Sequence, residues 1–227
     1  MKLNDMKDNR LGAIALLAGA LIGIIVLASH PGGAHRVNPE QVQSLIVMIV
    51  GVHALAIASL PILFLGALVF SREAVSNLRL GIIALVIFGF ASVATMGAAT
   101  MSGLVVPAAL RHLVTHDAAA EQWHLLLSYT HTINQGFAQI GAVGFCVAII
   151  IWSIALIRRR ALNLVLGIYG ILLGIAVIVA LVSGVAELEL HGGFEIITLG
   201  QSIWFILAAV LLWRNKSHEH STPLTTE

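Results

Sequence analysis

Charge is what this chain has least of: Asp, Glu, Lys and Arg together make up 10% of its 227 residues. A soluble domain carries about a quarter, so a solvated globular surface is excluded. The formal net charge of +1 leaves no excess of positive charge to track a phosphate backbone, and nucleic acid is excluded as a partner. A single cysteine, Cys146, excludes an internal disulfide and reads as a small buried side chain. No nucleotide, nucleophile or metal motif of recognised spacing is present. The sequence therefore assigns no catalytic residue and leans away from an enzyme.

What the chain has is hydrocarbon. Apolar residues make up 59% of it and the mean hydropathy is +0.97, values of an integral membrane protein. Six continuously apolar stretches run over 11–29, 42–70, 78–106, 123–157, 162–185 and 194–213. Each reaches the roughly 20 residues that a helix needs to cross a bilayer. None alternates as a barrel strand would. The expected fold is all-α: a polytopic six-helix transmembrane bundle forming one domain over 1–216, with 217–227 as a disordered cytoplasmic tail. The first run is longer than the apolar core of a signal peptide and reads as a retained anchor.

Ten of the twelve Lys and Arg residues fall in alternate connections: Lys2, Lys7 and Arg10, then Arg72 and Arg79, then Arg158 to Arg160, then Arg214 and Lys216. The positive-inside bias makes that side cytoplasmic, with both termini on it, and the chain is expected in an inner (plasma) membrane. Trp152 and Trp213 are expected in the inner aromatic belt and Trp123 in the outer one. Gly19 with Gly23, and Gly170 with Gly174, are small pairs four apart that let helices approach closely. Gly89, Ala94, Gly97 and Gly103 do the same in the third span. Asn38, Pro39 and Gln41 predict a capped start for the second helix, and Pro61 a kink within it.

Eight of the ten histidines lie opposite the basic residues. Counting at ~1.5 Å per residue from the nearest basic residue places His30, His53, Gln139 and Glu195 in one layer, ~28 to 30 Å away. The same count puts His131, His191 and Glu187 further out, and His124 and the loop from His112 to His116 beyond them. In the fourth span Glu121, His124, Ser128, His131, Gln135 and Gln139 recur every three or four residues in a stripe of about 80°. Such a stripe avoids lipid and should face the bundle interior. His191, Glu195, Thr198 and Ser202 repeat the pattern in the sixth span. The two stripes are expected to face one another.

Imidazoles and a carboxylate in one tier suit a metal or haem b site. His53 and His131 are the expected cofactor-binding pair. The wider candidate metal set is His30, His53, His124, His131, His191 and Glu195, for copper or zinc; Ser128, Gln135, Gln139, Thr198 and Ser202 are the polar lining. Met96 and Met101 are further sulfur donors for copper, although methionines of this kind more often pack. The inner half has no histidine, so a second, inner haem is not expected. Two other readings stand beside this one. The first is a transporter or channel subunit for a small solute, possible as an oligomeric pore although the inner half offers little polar lining beyond Ser59, Ser92 and Ser153. The second is an accessory subunit whose small-residue faces bind other membrane proteins, or a second copy, within the lipid bilayer.

Overall fold

The computed structural model describes residues 2–29, 39–75, 77–115, 120–157, 161–184 and 193–214. They are helical almost throughout, with no strand among them: α1 (Lys2–Ser29), α2 (Pro39–Glu73), α3 (Leu78–Thr100), a π turn (Met101–Val105), α4 (Val106–Thr115), α5 (Ala120–Leu156), α6 (Ala161–Val182) and α7 (Gly193–Arg214). α3, the π turn and α4 follow one another without a break. Six helical rods are long and apolar enough to cross a membrane. Their outward faces carry exposed Leu, Ile, Val and Phe, with Phe90 73% exposed. A water-soluble bundle would turn such side chains inward.

The rods close into a ring in which each packs on its sequence neighbours and α7 returns to α1. The Arg10 guanidinium lies 5.6 Å from the centre of the Trp213 ring, bringing the start of α1 beside the end of α7. This end of the ring, which also carries Arg72 and Arg79, is the basic end. The opposite end carries His53 and His131.

Where rods approach closely, glycine permits it. A Cβ on Gly66 of α2 would lie 2.6 Å from the Leu16 nitrogen of α1, and one on Gly19 would lie 2.8 Å from the Leu63 Cβ. Gly170 and Gly174 of α6 are seated in the same way against α5. Gly23 differs from the expectation: a Cβ there would meet only the Ser202 hydroxyl, at 3.7 Å, because α1 borders open space at that level.

Helix ends follow local chemistry. Asn77 Oδ1 accepts from the Arg79 and Leu80 amides at 3.1 and 3.3 Å and starts α3. α2 begins at Pro39, as the capping pattern predicts, and continues as one helix past Pro61. α6 stops at Val182, earlier than its apolar run, because Gly184 adopts a positive φ of 70° after it. The third rod runs on to Thr115, well past the expected 106. Pro107 lies within it, lacking an N–H and clashing with the carbonyl four residues back, that of Gly103. The helix accommodates this by widening: the Val106 amide donates to the Met101 carbonyl five residues back.

The basic half of the ring is filled by aromatics. Phe70, Phe88, Phe145, Trp152, Trp204 and Phe205 are all buried and mutually packed, with Phe88 and Phe145 centroids 5.0 Å apart and the two indoles stacked at 5.8 Å. Trp152 is therefore not the belt residue the sequence suggested. It is fully buried, and its indole N–H donates to Ser71 Oγ at 2.9 Å, so its one polar atom is satisfied inside the bundle. Trp213, 53% exposed, does lie at the periphery.

Candidate functional site

Above the aromatic layer the ring is hollow. A cavity of about 530 Å³ is walled by α1, α2, α3 with its π turn, α5 and α7. That volume lies within the range of small-molecule sites. Its walls from α1 and α3 are small, with Gly19, Ala20, Gly23, Ala98 and Ala99, which is why space remains between the rods.

His53 enters from α2 and is 7% exposed. Its Nδ1 lies 2.8 Å from the Ile49 carbonyl oxygen. A carbonyl can only accept, so Nδ1 donates this bond. On its other side the ring is held by the π turn, where a Cβ on Gly103 would fall on the Cβ and Cγ of His53. A histidine fixed through Nδ1 to a backbone carbonyl is the usual arrangement for ligation through Nε2.

His131 enters from α5, is exposed towards the mouth, and lines the same cavity. Its place follows from the contacts between α3 and α5. Gly144 abuts Ala91, Gly141 abuts Thr95, and Gly97 abuts Phe137. Continuing those pairings towards the histidine end runs the His131 segment of α5 past the π turn. His53, His131 and Ser102 of the π turn line one cavity.

Glu195, Thr198 and Ser202 of α7 line the cavity together with Gln135. Ser128 and Gln139 are exposed and do not, since α5 turns Asn134 and Gln135 inward and those two outward. His30 and His191 lie outside the described residues, and so does the side chain of His124. Met96 packs against the aromatic core and borders an apolar groove on the outer face between α2 and α3, not the cavity. Among the described residues no three His, Cys, Asp or Glu side chains converge on one metal position. His53, His131 and Glu195 share a cavity without forming such a set.

Thr95, Ser102, Asn134 and Gln201 are polar cavity residues that escaped the sequence reading. Asn134 sits beside Gln135, and its neighbour's place in the stripe masked it. Gln201 lies three residues after Thr198 and is 7% exposed; its Nε2 donates to the Ala142 carbonyl at 3.4 Å and to Cys146 Sγ at 3.3 Å. A continuation of the three-residue step from Glu195 and Thr198 would have found it.

The hydroxyls divide into two groups. Ser59, Thr95 and Ser102 donate to carbonyls of their own helices at 2.7 to 2.9 Å. Thr198 and Ser202 make no hydrogen bond among the described residues. No protein-family model, no curated protein and no solved structure matches the chain.

Proposed function

We propose that this chain is a multi-pass membrane protein that holds haem b between His53 and His131. In this reading the basic end and both termini are cytoplasmic and the cavity opens on the far side of an inner (plasma) membrane. The observation that carries it is one cavity lined by both imidazoles, with His53 held through Nδ1 on the Ile49 carbonyl. Haem b suits the donor set better than copper or zinc. A porphyrin would bring its own nitrogen donors and ask the chain only for histidines, whereas a protein-built site for either ion needs more donors than the described residues bring together.

Bound there, haem b supplies one-electron chemistry on the side opposite the basic loops. The residues of the chain do the rest. His53 and His131 would hold the iron, the small residues of α3 would leave room for the ring, and Asn134, Gln135 and Glu195 would meet its polar edge. The aromatic layer beneath tells against the alternative of a solute pathway through one copy, since it leaves no polar route through the basic half.

The test is the absorption spectrum of the purified full chain. A Soret band is expected, and it should be lost in His53→Ala and His131→Ala while each variant stays monodisperse. A chain without a Soret band after expression with haem precursor supplied would overturn the assignment.

A further inference from the structure

We infer that the floor of the cavity is a second ligand site, for the reduced, hydroxyl-bearing form of a quinone-type molecule. The inference uses the same cavity but does not rest on haem. It rests on polar groups left over at a depth where nothing else accounts for them.

Gln201 and Ser202 are 7% and 6% exposed, and both line the cavity just above the aromatic layer. The Ala142 carbonyl can accept but not donate, so it fixes the Gln201 amide with Nε2 towards α5. Gln201 Oε1 then faces the other way. It makes no hydrogen bond among the described residues and is not sealed from the cavity. Ser202 Oγ is likewise unpaired and accessible, with only Gly23 opposite it. A serine in a helix ordinarily satisfies itself on the carbonyl four residues back, as Ser92 does on Phe88 at 2.8 Å and Ser102 does on Ala98 at 2.9 Å. Ser202 does not. A largely buried polar side chain without a partner is unfavourable, so two adjacent ones at the base of a cavity point to something that binds there.

The chemistry of that ligand follows from the groups. Gln201 Oε1 only accepts, so the ligand must donate. Ser202 Oγ donates and accepts. No ionisable side chain other than Glu195, one helical step beyond Thr198, lines the cavity from α7, so a charged head would lie uncompensated. Phe145, Phe205, Leu60 and Leu63 around the floor suit a flat apolar body. A neutral ring bearing hydroxyls meets all four conditions. The oxidised form, with carbonyls alone, offers Gln201 no proton and would leave its oxygen unpaired.

The experiment is calorimetric titration of the detergent-solubilised full chain with a short-tailed benzoquinol and, separately, with the matching benzoquinone. The quinol is expected to bind about tenfold or more tightly than the quinone. Gln201→Leu should remove that preference. Ser202→Ala, a change of one atom, should weaken quinol binding severalfold and serves as the test if Gln201→Leu does not remain monodisperse. Gly23→Leu, which fills the space above Ser202 without touching its bonds, should block binding.

Absence of quinol binding, equal affinity for both forms, or unchanged quinol affinity in Ser202→Ala overturns the inference; in each case the floor holds ordered water only. The His53→Ala, His131→Ala double variant separates the two assignments. Quinol binding should persist in it. A wild-type chain that binds quinol without a Soret band would sink haem and leave the floor site standing, and the reverse result would sink the floor site alone.

Discussion

At the scale of single residues, position is decided by what each polar atom finds. His53 is held from two sides, by the Ile49 carbonyl and by the close approach of Gly103. Adding a side chain at Gly103 therefore displaces the ring: Gly103→Val should lower haem content at least tenfold, measured as Soret absorbance per protein, with the helical circular dichroism unchanged. Trp152 shows the same logic in the core. Its N–H reaches Ser71 Oγ, so Trp152→Phe leaves that hydroxyl buried and should cost about 1 to 3 kcal/mol, seen as a lower thermal midpoint in detergent. Hydropathy and spacing revealed His53, Glu195, Thr198 and Ser202 as inward residues because each stands out against an apolar run. They misplaced Trp152, Ser128 and Gln139, because an aromatic near a span end and a polar residue on a stripe look the same whether they face lipid, water or a neighbouring helix.

At the scale of the element, the π turn does most to shape the site. Pro107 forbids a regular α register at Gly103, and the widened turn presents glycine to His53 on one side while α5 runs past on the other. Pro107→Ala restores the amide and removes the clash. It should make the rod more regular and raise its stability, since proline inside a helix costs about 3 kcal/mol. It should also lower haem content, because residues on either side of the turn rotate relative to one another. A rise in melting temperature together with a fall in Soret absorbance is the expected signature. Gly103 and Pro107 are visible in the sequence, four residues apart. Their joint effect is not, because a proline four residues after a glycine can equally kink, end or widen a helix, and the packing of α2 and α5 selects among these.

At the scale of the whole molecule, the ring is filled at one end and hollow at the other. The filled end is a seal: with Phe70 edge-on to two stacked indoles, Trp152 and Trp204, and Phe88 tilted against Trp152, liposomes containing the chain should show no ion conductance above that of empty vesicles. The orientation is tested by introducing single cysteines, with buried Cys146 as a silent background. Asn77→Cys, at the basic end, should react with a membrane-impermeant maleimide only after cells are permeabilised. Arg111→Cys, at the histidine end, should react in intact cells. The opposite pattern would invert the topology.

Consecutive residues were enough to tell that six apolar helices form, where they start and stop to within a few residues except at the start of the first and the end of the third, and that the chain alternates basic and histidine-bearing connections. These properties are local: they follow from hydrophobic length, capping and charge in consecutive residues. Only the tertiary structure decided that α3 passes between α2 and α5, that His53 and His131 line one cavity, and that Gln201 and Ser202 line it too. Those relations join residues far apart in the chain. They depend on rod tilt and on contacts such as Gly103 with His53 and Gly97 with Phe137, and such contacts exist only once the ring has closed.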